Sequence, residues 1–264
     1  MSDLIGIERD GHVAVATLQR PEKLNALSPA LSAELLELCR RVNEDDDIWA
    51  LIITGAGRGF CAGVDLTGER PTDRPAPARA ELLDEIGWVG RQALAVAGVT
   101  KPTIAAVNGV CVGAGMSLAL ACDLRTGDPR TRFRTVLAER SLSPDSGMSY
   151  FLPRIVGYSR AADLIFTSRD VGAEEAYRIG LLDRLVEGEG ALDAALEAAK
   201  AIASLPPLAI ASGKRVLQHN INVGLEEALR YEMAGLGYAR RAPNDRAESL
   251  ASFRERRPPR FTGT

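Results

Sequence analysis

The sequence predicts an α/β fold, and two patterns lead to that prediction. Two short apolar runs, residues 50–54 and 103–107, have the composition of buried strands, and each leads into a glycine-rich loop with a helix-like segment farther along the chain. From Gly157 onward the pattern changes to successive helical segments. We therefore predict an α/β body over residues 1–200 and a C-terminal helical region over residues 201–264.

The N-terminal half shows clear local signals. Residues 5–9 and 13–18 have strand composition and flank Asp10-Gly11, a dipeptide typical of hairpin turns. Ser28-Pro29 then supplies an N-cap and a proline at the first helical position, so we expect a helix that ends near Asn43. Residues 68–79 hold three prolines and mixed charge, which predict a mobile surface loop.

The remaining helices are predicted from apolar spacing. We expect one helix over about residues 80–96, with an apolar stripe formed by Leu82, Leu83, Ile86, Val89 and Leu94. Further helices are predicted near 159–167, 172–180, 190–204, 207–219, 224–238 and 243–256.

Composition limits the class of protein. The 264 residues carry a net charge of −3, which gives no electrostatic argument for nucleic acid or an anionic membrane as a partner. The apolar stretch 103–122 is interrupted by glycines and is better explained as a buried strand followed by a buried helix than as a membrane span. Four cysteines without CxxC spacing suggest neither a metal site nor disulfides, so we expect a cytoplasmic protein.

Glycine loops and one aspartate are the candidate chemical features. The loops GAGRG (55–59) and GAG (113–115) lack the residues that complete a phosphate-binding motif. They either pack tightly against a sheet or aim backbone N–H groups at one point as an oxyanion hole. Cys61 is better read as a small packed residue than as a nucleophile. Asp145, in SPDSG before an apolar helix, is either an N-cap or a functional carboxylate.

Four motifs resemble a known family in order and spacing. They are RPEKLNALS (20–28), ITGAGRGFCAGVDL (53–66), KPTIAAVNGVCVGAGMSLALACD (101–123) and SPDSGMSYFLPRIVG (143–157). Together they resemble the crotonase (enoyl-CoA hydratase/isomerase) superfamily over essentially the whole chain. The resemblance implies a spiral of ββα units and a C-terminal helical region that assembles trimers or hexamers. It also implies acyl-CoA thioesters as substrates, with no separate cofactor and no metal.

The resemblance also implies site residues. It assigns Ala62 and Ala114 as the two backbone donors that hold the thioester oxygen. It lines the coenzyme A and acyl path with Lys23, Leu24, Ala26, Gly63, Val64, Asp65, Leu66, Ser117 and Leu137, and it places Arg256 against the coenzyme A phosphates.

The departures from the family pattern bear on the reaction. Ser117 and Leu137 occupy the positions of the two glutamates that activate water in hydratases, and neither can act as acid or base. Glu139 lies two residues from the second position. Asp145 falls where relatives that isomerise double bonds or rearrange ring epoxides carry an aspartate, and the motifs look most like the phenylacetyl-CoA ring-epoxide isomerase branch. We therefore expect an enoyl-CoA isomerase in which Asp145 is the catalytic carboxylate that transfers the proton. A hydratase and a catalytically silent acyl-CoA-binding protein are the alternatives.

Overall fold

The computed structural model describes residues 4–67 and 79–264, and its strands form two sheets. The first sheet contains β1 (Ile5–Asp10), β2 (Val13–Leu18), β3 (Ala50–Gly55), β5 (Thr103–Val107), β7 (Leu124–Gly127) and β10 (Arg184–Leu185), hydrogen-bonded in that order. The second contains β4 (Gly59–Cys61), β6 (Val110–Val112), β8 (Arg132–Arg134) and β9 (Val171–Gly172). The β1–β2 and β8–β9 pairs are antiparallel, and all other pairs are parallel.

Helices follow the strands in a repeated order. They are α1 (Pro29–Glu44), α2 (Arg79–Leu82), α3 (Gly87–Ala97), α4 (Ala114–Leu120), α5 (Met148–Val156), α6 (Tyr158–Thr167), α7 (Ala173–Arg178), α8 (Ala191–Ala203), α9 (Pro207–Asn220), α10 (Leu225–Ala239) and α11 (Pro243–Glu255). The strand pairs β3–β4, β5–β6 and β7–β8 each place one strand in each sheet before the chain turns helical. This repeat confirms the predicted α/β fold built from ββα units.

The local signals near the N-terminus are confirmed by geometry. The predicted hairpin is the β1–β2 pair, and Gly11 in its turn has φ +58°, a conformation that favours glycine. The Ser28 hydroxyl caps α1 by accepting a hydrogen bond from the Leu31 amide at 3.2 Å. These elements were predictable because the residues that define them are close in sequence.

The single helix predicted over residues 80–96 is wrong. The Asp84 carboxylate accepts hydrogen bonds from the amides of Ile86 and Gly87, and Gly87 has φ +69°, so the chain breaks between α2 and α3. The predicted apolar stripe is exposed at Leu82, Leu83, Ile86 and Leu94, whereas Gln92, Ala93 and Val96 are the buried residues of α3. The loop predicted at 68–79 lies outside the described residues except for its last position.

Two apolar clusters stabilise the chain from both faces of the first sheet. One lies between the sheets and helices α1 and α3–α6, and the other forms where alanines of α8 meet Ile52 and Ile104. Residues of β3 enter both clusters, which explains its unbroken apolar sequence. Among the described residues no single helix is long and apolar enough to cross a bilayer, and α8 and α9, which meet that test only together, are bent by 108°.

A lysine of α9 makes one of the contacts between the C-terminal helices and the first sheet. Lys214 Nζ on α9 lies 2.7 Å from Asp123 Oδ2 and donates to the Lys101 carbonyl at 3.0 Å. Asp123 Oδ2 also accepts from the Thr103 amide at 2.7 Å, so this carboxylate caps the start of β5. Large apolar side chains of α9–α11 remain exposed in the single chain, among them Leu217, Leu225, Met233 and Phe253. Assembly into trimers or hexamers stays a prediction.

Candidate active site

The two glycine loops lie side by side, because the strands that precede them are neighbours in the second sheet. Cys61 of β4 is aligned with Cys111 of β6 in a parallel pair. A Cβ atom on Gly115 would lie 2.2 Å from the Cys61 carbonyl oxygen, and one on Gly63 would lie 2.8 Å from the Val112 carbonyl oxygen and 3.5 Å from the Ala114 nitrogen. Only residues without side chains allow this approach, so both glycines serve the close contact of the loops.

The prediction that Ala62 is the first backbone donor is wrong. Its amide donates to the Leu24 carbonyl at 3.0 Å, so its proton is already used. Farther along, the Leu27 amide donates to the Gly63 carbonyl at 2.7 Å, and the Asp65 amide donates to the Leu27 carbonyl at 2.9 Å. In this parallel bridge Leu27 forms hydrogen bonds with the residues on either side of Val64, so the Val64 amide points away from Leu27. No described residue accepts a hydrogen bond from the Val64 amide.

The amide of Ala114 is also free within the described part of the chain. Ala114 is the first residue of α4, where an N–H group has no intrahelical acceptor, and no described side chain caps it. Gly63 and its neighbour Val64 thus border Ala114, with no side chain on Gly63 to fill the gap. Two unpaired N–H groups on adjacent loops are the arrangement that stabilises an oxyanion.

Strained backbone borders this gap. Three non-glycine residues with positive φ lie in segments that contact the two loops, namely Leu24 (48°), Asn25 (57°) and Val136 (53°). Val136 is β-branched, a type that rarely takes this conformation, and its Cγ2 would lie 3.3 Å from a Cβ on Gly113. Such conformations persist only where the surrounding structure enforces them, and they concentrate at functional sites.

The segments predicted to line the coenzyme A path are brought together by the same hydrogen bonds. Residues 23–26 run beside residues 62–66, and Lys23 Nζ donates to the Thr67 hydroxyl at 2.8 Å. Ala26 and Gly63 are buried, Leu24 is half-buried, and Val64 and Leu66 are exposed. The two segments therefore form one surface next to the free amides.

Asp65 holds this surface in place. Arg20 donates to Asp65 Oδ2 at 2.7 Å and also to the Ala26 carbonyl at 2.5 Å, and the side chains of the ion pair are only 17% and 11% exposed. Hydrogen bonds from the hydroxyl of Thr67 and from Arg20 lower the pKa of Asp65 well below its usual range. Since its oxygens are occupied, the carboxylate positions the Val64 segment and is not free to bind substrate.

We expect Asp65→Asn to lower the free energy of unfolding by about 2 kcal/mol at pH 7, because charged hydrogen bonds are lost. The pKa of Asp65 is lower in the folded state than in the unfolded state, so its ionised form stabilises the fold at pH values above the unfolded-state pKa of about 3.9. This stabilisation is lost as the pH falls from that value toward the folded-state pKa. The difference between wild type and variant should therefore shrink from pH 7 to about pH 2.5 in urea unfolding experiments. A constant difference would contradict this role.

Asp145 lies on the loop that precedes α5. The alternative interpretation, in which the Asp145 side chain caps α5, is wrong, since Gly147 is the N-cap and no described side chain caps that end. The backbone carbonyl of Asp145 accepts from the Met148 amide at 2.8 Å, and its exposed carboxylate accepts from the Ser146 hydroxyl at 3.0 Å. Helix α5, three residues on, packs against α4, whose first residue is Ala114.

The residues at the two hydratase glutamate positions are both buried. Ser117 is 1% exposed and Leu137 is 6% exposed. Glu139 follows Leu137 in a short 3₁₀ turn, where its carboxylate is 42% exposed and forms an ion pair with Arg134. That pairing directs Glu139 to an arginine of β8 and leaves Asp145 as the carboxylate without a cationic partner among the described residues of this loop.

Cys61 and Arg256 both lack a direct role at the free amides in the single chain, for different reasons. Cys61 is fully buried, and burial raises the pKa of its thiol to about 12, which excludes a thiolate nucleophile at neutral pH. Arg256 lies in the left-handed position that ends α11, and α11 makes no extensive contact with β4, α4 or α5. The single chain therefore does not bring Arg256 to the free amides, and its contact with coenzyme A stays a prediction.

A cavity of about 920 Å³ lies elsewhere, between the sheet and α9. Its lining includes Trp49, Lys101, Lys214 and Phe261, and none of the predicted site residues. Trp49 precedes β3 and Lys101 precedes β5, whereas Gly63 and Ala114 follow the β3–β4 and β5–β6 pairs. The free amides and this cavity are thus at opposite ends of the parallel strands.

Comparisons with known proteins agree with the fold. The family model described as enoyl-CoA hydratase/isomerase matches residues 8–264. An (E)-benzylidenesuccinyl-CoA hydratase of Thauera aromatica is 36% identical, with 98% of this chain and 99% of that protein aligned. A 1,2-epoxyphenylacetyl-CoA isomerase of Escherichia coli K12 is 34% identical over 95% of each chain.

Solved structures give the same result. An enoyl-CoA hydratase from Bacillus anthracis superposes with a TM-score of 0.90 at 31% identity, covering 99% of this chain and 100% of that one. One described as a putative enoyl-CoA hydratase from Streptomyces coelicolor has a TM-score of 0.90 at 37% identity, covering 99% and 94%. The fold is therefore that of the crotonase superfamily. The chain belongs to the enoyl-CoA hydratase/isomerase family.

Sequence reasoning missed two functional features of this site. It placed Val64 on the substrate path without recognising that its amide is free, and it did not single out Arg20. The ion pair of Arg20 with Asp65 was not visible because the partners lie far apart in sequence. The Val64 assignment needed the hydrogen-bond register with Leu27, for which the apolar pattern gives no signal.

Proposed function

We propose that the protein isomerises the carbon–carbon double bond of an enoyl-CoA thioester. The amides of Val64 and Ala114 hold the thioester oxygen, and Asp145 moves the proton. The observation that supports the proposal is the pair of free N–H groups on adjacent loops, together with a carboxylate that has no cationic partner among the described residues and precedes α5, a helix packed against α4. The assignment of Asp145 also rests on the family resemblance.

The proposed reaction is a 1,3-proton shift. The Asp145 carboxylate takes a proton from the α-carbon of a 3-enoyl thioester, and the electron pair moves into the thioester carbonyl. The resulting dienolate oxygen is stabilised by the two N–H donors. The same carboxyl group returns the proton to the γ-carbon, which leaves a 2-enoyl thioester and restores the carboxylate. One acid–base group is sufficient for this sequence.

A hydratase is the second candidate, and the name of the Thauera relative favours it. Hydration needs one group to activate water and another to deliver a proton. In this chain the two glutamate positions carry Ser117 and Leu137, and Glu139 is paired with Arg134. These observations support isomerisation over hydration.

Mass spectrometry with chromatography of 3-hexenoyl-CoA and 2-hexenoyl-CoA after incubation with the purified protein tests the proposal. We expect an unchanged mass and a shifted retention time, as the double bond moves. A gain of one water on the 2-enoyl ester would replace isomerase with hydratase. No change in either ester would contradict turnover of simple enoyl chains by either route.

A further inference from the structure

Asn25 holds the GAGRG loop (55–59), which leads from β3 into β4. Its Nδ2 donates to the carbonyl oxygens of Ala56 at 3.0 Å and of Gly59 at 2.8 Å, and its Oδ1 accepts from the Arg20 amide at 2.9 Å. The residue is fully buried and has φ +57°. A non-glycine residue keeps this left-handed conformation only where the surrounding structure enforces it, and here the three hydrogen bonds do so.

Asn108 holds the same loop from the neighbouring strand connection. It lies between β5 and β6, and its Nδ2 donates to the carbonyl oxygens of Gly55 at 2.8 Å and Gly57 at 3.0 Å. The next residue, Gly109, touches the GAGRG loop directly, since a Cβ atom there would lie 2.2 Å from the Arg58 carbonyl oxygen. The connection before β4 and the connection before β6 are therefore fixed against each other.

The pairing of β4 with β6 does not by itself set the distance between the two proposed donors. Val64 follows β4 by three residues, and Ala114 follows β6 by two. The two strands share only two aligned residue pairs, and their register shifts between these pairs. Such an irregularity disrupts the hydrogen-bonded ladder locally. The spacing of the two amides therefore depends on the contacts made where the strands begin.

Asn25 also acts on the first donor through its own segment of chain. The Leu24 carbonyl, one residue before it, accepts from the Ala62 amide at 3.0 Å. Two residues after it, Leu27 forms the hydrogen bonds on either side of Val64. Because Asn25 ties this segment to the GAGRG loop, it fixes the backbone that leaves the Val64 amide free.

We propose that Asn25 and Asn108 are positioning residues for the oxyanion site: their carboxamides fix the GAGRG loop and, through it, the distance between the amides of Val64 and Ala114. This inference rests on the proposed function, since those two amides are its oxyanion donors. Both asparagines act through the backbone that they hold, and neither is assigned a contact with the substrate. Oxyanion donors stabilise charge because they are held in place before the reaction, so a displaced donor loses its effect.

The test compares dissociation constants for butanoyl-CoA and S-butyl-coenzyme A by calorimetry. Both ligands carry the same length of carbon chain on sulfur, but only the thioester has the carbonyl oxygen that the two amides bind. We expect wild type to bind butanoyl-CoA at least about tenfold more tightly. Asn25→Gly should lower this ratio at least about threefold, because glycine keeps the left-handed conformation and removes the carboxamide. Asn108→Ala should lower the ratio as well.

Asn43→Ala is the matched control. The Asn43 carboxamide also joins two segments, since it accepts from the Thr100 amide at 2.8 Å and donates to the Gly98 carbonyl at 3.3 Å. It lies at the other end of the strands, beside the cavity of about 920 Å³. This variant should lose stability and keep the wild-type ratio. An equal fall of the ratio in Asn43→Ala and Asn25→Gly would indicate a general loss of stability and overturn the inference.

The outcomes separate this inference from the proposed function. Neither ligand has a double bond to move, so the ratio is measured whether or not the protein is an isomerase. Equal binding of the two ligands by wild type overturns the oxyanion site and the inference together. A wild-type preference that folded Asn25→Gly or Asn108→Ala retains in full overturns the inference alone. If Asn25→Gly does not fold, Asn108→Ala decides, because Asn108 is only half-buried.

Discussion

Asp145→Asn is expected to reduce kcat for the 3-enoyl to 2-enoyl conversion by about 10²- to 10⁴-fold, the range that removal of a general acid–base group produces. Asparagine has nearly the same shape but cannot accept a proton from the α-carbon. The Asp145 carboxylate is exposed, and its contact with a described side chain is the hydrogen bond from the Ser146 hydroxyl. The substitution should therefore disturb the fold little, and binding of acyl-CoA should survive.

Glu139→Gln is the control for that prediction. Glu139 lies six residues before Asp145 and is paired with Arg134, so its loss should change kcat by no more than a few fold. The rates are measured by following the position of the double bond chromatographically. If Asp145→Asn retains wild-type kcat while Glu139→Gln loses it, the roles assigned to the two carboxylates are reversed. If neither variant changes a measurable turnover, Asp145 is not the base.

Gly115→Ala is expected to cost both activity and stability. The added Cβ would lie 2.2 Å from the Cys61 carbonyl oxygen and 2.8 Å from its carbon, closer than side-chain atoms come to backbone. The start of α4 must then move away from β4, which carries the Ala114 amide away from the Val64 amide. Loss of an oxyanion donor reduces kcat by about 10²- to 10³-fold. We also expect the free energy of unfolding to fall by about 1–3 kcal/mol, as in an overpacked core.

Gly213→Ala provides a matched control on another helix. Gly213 lies within α9, and a Cβ there would meet no heavy atom within 4 Å. Alanine is favoured over glycine inside a helix by about 1 kcal/mol, so this variant should be slightly more stable and fully active. Urea unfolding and steady-state kinetics on both variants make the comparison. Normal kcat in Gly115→Ala would show that the spacing of the loops does not set the donor geometry.

The sequence predicted those features whose causes are local. Ser28 and Pro29 define the start of α1, and the apolar run of β3 reflects burial on both faces. The C-terminal helices follow from apolar spacing and from the prolines at their starts. By contrast, the exposure of Leu82 and Leu94 could not be read from spacing, because a periodic pattern shows that a face exists but not what covers it.

The candidate site divides in the same way. The motifs by themselves determined the family, the two glycine loops, and Asp145 as the candidate base. Only the tertiary structure decided which amides are free. The Ala62 amide donates to the Leu24 carbonyl, whereas the Val64 amide has no described acceptor because Leu27 bonds to the residues on either side of Val64. The tertiary structure also decided that the Asp65 carboxylate forms an ion pair with Arg20 and that the buried Ser117 hydroxyl has no described hydrogen-bond partner. A motif fixes which residues are present, whereas the availability of a hydrogen-bonding group depends on partners that folding brings from elsewhere in the chain.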